Sequence, residues 1–247
     1  MELTPQDKQI IQAKYNAFME KYRHLYSDMA IYYIEEYFWK DMERPSSTDL
    51  LMQIYEHLGI YDILNKARRE QNEKEIPSLY QLHLSRIEKL YDISGDVLDI
   101  ASGWIPAFAE DIAYHQKQIG KGTITIYEPG LLRTRPRYKN MKLYKREFTG
   151  TESIKEFDLV TAILPCEATK PIIESACQND IDFYVATCGC EHDINGRPFF
   201  YSDYESYQDY IINLAEQLMK NNPNRELVVD QIDSKYMDYP VLYTKKK

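Results

Sequence analysis

Two acidic residues and a glycine stand at points where ligand chemistry is common in α/β proteins. Asp99 lies near the end of a short apolar run, 96–100, Gly103 follows in a turn of small residues, and Glu128 ends the next such run, 123–128. In an open α/β sheet, ligands bind outside the carboxyl ends of the strands. Gly103 allows a close backbone approach or a positive φ, and an acid in the place of Glu128 can accept both hydroxyls of a ribose. The spacing therefore predicts a nucleoside-binding edge.

A second set of reactive side chains lies near the ends of two later β-like runs: Cys166, Cys188, Cys190 and His192. Thiolate and imidazole are good zinc ligands, but Cys-x-Cys-x-His is not a common structural zinc spacing and free cysteine is a routine buried residue. We therefore expect no metal. Nucleophilic catalysis by a cysteine is a further alternative, which requires His192 or a local dipole to lower the thiol pKa.

The segment LLRTRPRYKNMKLYKR, residues 131–146, is basic on an acidic chain. It holds seven Lys and Arg residues and no acid, whereas the whole chain has 30 Lys and Arg against 39 Asp and Glu, a net charge of −9. The overall charge argues against a protein that coats nucleic acid nonspecifically, but a local basic face suits anion recognition. The alternative is a solvated face that shields an edge strand. The residues expected to bind substrate are Arg133, Arg135, Arg137 and Lys139.

The bulk composition is that of an ordinary globular protein, with 247 residues of which 44% are hydrophobic and 28% charged. No apolar run is long enough to cross a membrane, and no basic-then-apolar leader opens the sequence. The four cysteines all lie between Cys166 and Cys190, unlike a secreted disulfide framework. We expect a soluble, cytoplasmic protein without a membrane partner, and the sequence indicates no oligomeric state.

These residues must be positioned by two parts of the chain with different patterns. Residues 1–92 show apolar residues three and four apart, which predicts helices to about residue 42, from 48 to 67 and from 78 to 90. Thr4, followed by proline, is a helix-start signal. We expect this part to be a helical domain that recognises the substrate or covers the site as a lid.

Residues 93–247 alternate β-branched runs with helical patterns, which predicts a mainly parallel sheet. The expected strands are 96–100, 123–128, 141–145, 158–164, 182–187, 226–232 and 240–245. The gap between the last two strands is too short for a parallel crossover, so they should form an antiparallel pair. Ser202 and Glu205 have capping-box spacing and predict a helix before that pair.

These features together resemble a known family. An acid at the end of strand one, a glycine-containing turn and an acid at the end of strand two resemble the first two motifs of class I S-adenosylmethionine (SAM)-dependent methyltransferases. The terminal antiparallel pair is similar to that fold's last two strands, and the resemblance spans about residues 90–247. It implies an α/β, Rossmann-like methyltransferase sheet behind the helical domain, with SAM as the cofactor.

The resemblance also implies roles for individual residues. Asp99 and the turn after it would contact the methionine part of SAM, and Glu128, followed by Pro129, would hold the ribose. The turn residues concerned are Ala101, Ser102, Gly103 and Trp104. The family's turn usually carries two or three glycines, where this chain has one.

Two local resemblances imply an RNA substrate. Residues 82–93 and 99–109, LHLSRIEKLYDI and DIASGWIPAFA, look like the aminoglycoside-resistance 16S ribosomal RNA methyltransferases. Residues 164–192 look more like methyltransferase domains, some acting on tRNA, that end strand five in a cysteine pair followed by histidine. The basic stretch agrees with rRNA or tRNA as the partner.

Methyl transfer from a sulfonium depends mainly on positioning the acceptor atom. We expect the acceptor near Trp104 and the loops 165–167 and 188–192, with Glu167 or His192 as the proton acceptor if one is needed. The residues expected to line that pocket are Cys166, Cys188 and Cys190. Two alternatives are a methyltransferase acting on a small molecule, and a noncatalytic RNA-binding or assembly protein that kept the fold and lost the glycines.

Overall fold

The computed structural model of the chain describes residues 3–41, 49–132, 135–188, 204–232 and 240–247. The chain divides into two compact units, Met1–Leu82 and His83–Lys247. In the described ranges, no helix is both long and apolar enough to cross a membrane.

The first unit is helical. Its elements are α1 (Pro5–Tyr22), a 3-10 turn (Arg23–Leu25), α2 (Asp28–Asp41), α3 (Asp49–Leu58), α4 (Ile60–Glu70) and the start of α5 (Leu79–Leu90). Thr4 caps α1 as predicted, because its hydroxyl accepts the Asp7 amide at 3.1 Å while the Asp7 carboxylate accepts the Thr4 amide at 3.3 Å. The single helix predicted over 48–67 is two helices, since Gly59 lies between them at φ +63°, a conformation that ends the α-helical path.

The second unit carries a seven-stranded sheet in the order β3-β2-β1-β4-β5-β7-β6. The strands are β1 (Asp96–Ile100), β2 (Thr123–Tyr127), β3 (Met141–Tyr144), β4 (Leu159–Ile163), β5 (Asp182–Ala186), β6 (Arg225–Asp230) and β7 (Val241–Lys246). β1 to β5 pair in parallel, whereas β7 runs antiparallel to both β5 and β6. The doubly wound order confirms the predicted Rossmann-like α/β sheet, and the antiparallel pairing of β6 with β7 confirms the predicted terminal pair.

Helices pack on the sheet and hold its strands in place. They are α6 (Ala107–Ile119), α7 (Thr169–Gln178) and α8 (Tyr207–Met219). α8 begins after Ser206, whose side chain accepts the Asp209 amide at 3.1 Å. Of the predicted capping pair, Ser202 lies outside the described residues, and Glu205 precedes the helix instead of lying in its first turn. One core joins α7 and α8 to the sheet through Leu98, Val160, Ile173, Phe183, Ile211 and Leu242.

A buried histidine lies between α5 and the sheet. His83 is fully buried, and its Nδ1 lies 2.8 Å from the hydroxyl of Tyr184 on β5. Burial, with a smaller contribution from the Arg86 charge, lowers the pKa of His83 to about 3. The side chain is therefore neutral in the folded protein at neutral and mildly acidic pH.

His83 should make the protein less stable in mild acid. Its pKa in the folded state lies below the unfolded value of about 6.5, so the unfolded chain takes up a proton first and stability falls as the pH drops from about 7. Urea unfolding at pH 8 and pH 5 should show this loss, and His83→Gln should reduce it by about 2 kcal/mol. An unchanged pH dependence in the variant would contradict the assignment.

Candidate functional site

Asp99 is an acid buried inside the sheet. It sits opposite Thr161 of β4 and is 1% exposed. Its carboxylate accepts hydrogen bonds from the Ser102 hydroxyl and from Thr161 Oγ1, the latter at 2.7 Å. Burial raises the pKa of Asp99 to about 7, against the two hydroxyl bonds and with a further upward contribution from Glu128. The fold therefore holds this carboxylate where its charge has little solvation.

Glu128 joins the turns that follow β1 and β2. It is 8% exposed, its Oε2 accepts the Gly103 amide at 3.1 Å, and its Oε1 accepts the Gly130 amide at 2.6 Å. Burial raises the pKa of Glu128, and the two amide bonds partly offset that rise. Pro129, predicted beside it, is exposed. The two acids and Gly103 that the sequence singled out are thus brought together at one edge of the sheet.

The backbone at this edge is strained. Ala101, directly after β1, has φ +58°, and Leu164 and Cys166, after β4, have φ +57° and +45°. Residues other than glycine adopt such φ angles at a cost of about 1–3 kcal/mol each. Gly103, at φ +75°, meets the same requirement without that cost. Strain gathered at the ends of two parallel strands is typical of a ligand-binding edge.

Trp104 and Gly130 form a close contact that the sequence analysis missed. A Cβ atom on Gly130 would lie 2.3 Å from Cδ1 of the Trp104 indole, so a larger residue there would have to displace the indole. The Leu132 amide donates to the Trp104 carbonyl at 3.0 Å and fixes the same two loops. The signal for this contact was the Pro-Gly pair directly after Glu128, which reads in the sequence as an ordinary turn.

The ends of β4 and β5 carry the other predicted residues. Cys166 is half-buried in a 3-10 turn, Glu167 beside it is exposed, and Cys188 is 5% exposed after β5. Because β1 to β5 are parallel, these side chains stand at the same edge as Asp99. Burial raises the pKa of Tyr207 on α8, and both cysteines add to that rise as electrostatic neighbours.

Three predicted residues, Arg133, Cys190 and His192, lie outside the described residues. Among the side chains that are described, no three His, Cys, Asp or Glu groups come together as a metal site. The expectation that no metal is bound therefore stays a prediction.

The described part of the basic stretch contacts α6 through Arg137 and contacts β2 through Arg146. Arg135 and Lys139 are exposed, while the Arg137 guanidinium lies 3.1 Å from the buried Glu110 carboxylate of α6. Farther along, the Arg146 guanidinium lies 3.9 Å from the ring centre of Tyr127, the residue before Glu128. β3, inside the stretch, is the edge strand of the sheet, as the shielding alternative requires.

Two buried carboxylates at one edge suit a ligand that carries positive charge and hydroxyl groups. A carboxylate has about four acceptor positions, and the two amide bonds to Glu128 leave capacity for a vicinal diol. A cation placed near Asp99 would favour its ionised form and offset the desolvation that raises its pKa.

Comparisons with known proteins were made by sequence and by structure. No protein-family model matches the sequence, and no curated protein does. A SAM-dependent methyltransferase from Aquifex aeolicus is similar in structure at 10% identity, with a TM-score of 0.41 over 75% of this chain and 96% of its own. Another, from Clostridium acetobutylicum, is 13% identical, with a TM-score of 0.41 over 77% of this chain and 97% of its own. A 16S rRNA methyltransferase from Catenulisporales acidiphilia is 8% identical, with a TM-score of 0.39 over 66% of this chain and 88% of its own. The fold assignment follows from the strand order of the chain itself.

Asp99 should destabilise the free protein at high pH. Its folded pKa of about 7 exceeds the unfolded value, so the folded state binds the proton more tightly and stability falls as the pH rises from about 4 through 7. Asp99→Asn keeps the shape and removes the charge. The variant should gain about 2–3 kcal/mol relative to the wild type between pH 5 and pH 8, measured by urea unfolding. A difference that does not vary with pH would show that Asp99 is not a buried, ionising acid.

Proposed function

We propose that the chain is a SAM-dependent methyltransferase that acts on RNA. The observation that carries the proposal is the hydrogen bond from the Gly103 amide to Glu128, which brings the turn after β1 and the acid after β2 to one place. Asp99 is buried near both, on β1, which pairs with β2. Ligands of doubly wound sheets bind at this edge.

The donor set fits SAM. The molecule carries two positively charged groups, an ammonium and a sulfonium, and a ribose, and when bound it supplies a methyl group on sulfur for transfer to a nucleophile. Asp99 would face the positive methionine part, and Glu128 would accept the ribose hydroxyls with its remaining lone pairs. Trp104, held against Gly130, would form a wall of the site.

The acceptor is proposed to lie at the ends of β4 and β5, beside Cys166 and Cys188. Chemistry there rests mainly on the alignment of the nucleophile with the methyl carbon. Glu167, or His192, which lies outside the described residues, would take a proton where the acceptor must lose one. Arg146 beside Tyr127 supports an anionic substrate, because it places a positive charge next to the acidic edge.

SAM affinity should depend on pH through Asp99. With its pKa at about 7, the carboxylate is mostly protonated at pH 6 and mostly ionised at pH 8. Calorimetric titration should give about tenfold tighter SAM binding at pH 8 than at pH 6. Asp99→Asn should bind more weakly at pH 8 and lose the pH dependence, while Asp92→Asn, a matched change at an exposed acid, should behave as wild type. A wild-type affinity that is flat across this range would remove the role given to Asp99.

A transfer assay tests the substrate. SAM with a labelled methyl group, incubated with the protein and with total RNA or ribosomal subunits, should label material that ribonuclease releases, and Asp99→Ala should abolish the label. Label that ribonuclease does not affect and that is recovered in the small-molecule fraction would show that the substrate is a small molecule and not RNA. Transfer undiminished in Asp99→Ala would show that the cofactor site lies elsewhere.

A noncatalytic RNA-binding protein is the second candidate. It is favoured by the single glycine in the turn after β1. It is also favoured by Glu128, whose two oxygens already accept one backbone amide from each of the two turns. The same calorimetric titration separates the two. If no heat of binding is measured at millimolar SAM, the methyltransferase proposal is refuted and the noncatalytic candidate is favoured.

A further inference from the structure

A surface of tyrosines and cations lies where α6 meets the segment before β3. Tyr114 of α6 is 51% exposed, and its ring centre lies 6.0 Å from that of Tyr138 in the basic stretch. The Lys117 ammonium stands 5.5 Å from the centre of the Tyr138 ring, and the Arg137 guanidinium 5.6 Å from it. The sequence pattern concealed this grouping, because two of the four residues come from α6 and two from the segment before β3.

The four residues are held in place from beneath. Arg137 pairs at 3.1 Å with Glu110, which is 4% exposed. Three residues later, the Asn140 amide donates to the Ala113 carbonyl at 3.0 Å and to Gln116 Oε1 at 3.2 Å. The segment is thus fixed to α6 at two points, so the surface loses little conformational entropy when it binds a partner.

The charge of this surface is positive despite the acidic chain. Arg135 and Lys139 are exposed on either side of Arg137, and Lys121 is exposed beyond the end of α6. The acids of α6 are Glu110 and Asp111, both in its first two turns, and Glu110 faces inward to Arg137. A repeated anion is therefore the complementary partner.

We propose that Tyr114, Lys117, Arg137 and Tyr138 form a binding surface for single-stranded RNA. Unpaired bases stack on exposed aromatic faces and phosphates bind the cations between them, which is the combination that single-stranded nucleic acid requires. A plain polyanion would use the cations alone and leave the half-exposed Tyr114 ring without a role. The surface deepens the proposed RNA substrate and rests on that proposal only for its connection with methyl transfer.

The test is a titration of a fluorescein-labelled twelve-nucleotide uridine RNA with the full chain in the absence of SAM. Binding is measured by the fluorescence anisotropy of the RNA. Tyr114→Ala should raise Kd at least about fivefold. Tyr32→Ala, which removes a 66% exposed tyrosine from α2, is the matched control and should stay within about twofold. Thermal unfolding of each variant checks that it folds as the wild type does.

Salt dependence tests the cations separately. Replacing Lys117 and Lys139 together by alanine should lower the slope of log Kd against log salt by about 1.4, since each phosphate contact to a single strand contributes about 0.7. Lys66→Ala on α4, where the side chain is 63% exposed, should leave the slope unchanged.

Equal affinities for Tyr114→Ala and Tyr32→Ala would overturn the proposal, as would an unaltered slope in the double lysine variant. Competition by polyglutamate as strong as that by unlabelled RNA would also overturn it, since polyglutamate offers charge without bases. If the variants lose RNA binding and the wild-type protein binds no SAM, the RNA surface is supported and the methyltransferase proposal is refuted. If the protein transfers methyl groups from SAM and these variants bind RNA as the wild type does, the methyltransferase proposal is supported and the RNA surface is refuted.

Discussion

The site depends on one carboxylate that serves two turns. Glu128 accepts the Gly103 amide with one oxygen and the Gly130 amide with the other, so the loops that follow β1 and β2 cannot move independently. Hydrogen bonds to a charged acceptor contribute about 1.5–3 kcal/mol each. The close fit of Trp104 against Gly130 and the conformation of the turn after Asp99 both depend on this link. It sets the geometry of the edge before any ligand arrives.

The edge is arranged at some expense to the stability of the free protein. Two acids are buried within one small region, and burial raises the pKa of both, to about 7 in the case of Asp99. Strained backbone at Ala101, Leu164 and Cys166 adds to that cost. Such an arrangement is stabilised by a cation that the acids can share, which is why the chemistry of the ligand can be argued from the protein alone. The cost that burial imposes on the acids and the affinity proposed for SAM are two consequences of the same electrostatics.

The strands and the positions of the acids could be predicted from local patterns in the sequence. Contacts between residues far apart in the chain could not, because no local pattern marks them. β-branched runs placed each strand within two residues, and the Thr4 cap was predicted from the proline that follows it. The division at Gly59 was missed because a glycine inside a helical pattern is often tolerated. The Trp104–Gly130 contact and the Tyr114–Tyr138 pair join residues more than twenty positions apart, and only the packing of the loops on the sheet and on α6 brings them together.

Asp99 is the buried acid that a bound cation is proposed to stabilise in its ionised form. Carbon-13 labelling of the aspartate carboxyls lets its titration be followed by NMR in the free protein and with saturating SAM, with Asp99→Asn to assign the signal. The free protein should show Asp99 titrating with a pKa near 7, and SAM should lower that pKa by about two units or more. A signal that titrates near pH 4, or a pKa that SAM leaves unchanged, would contradict the account.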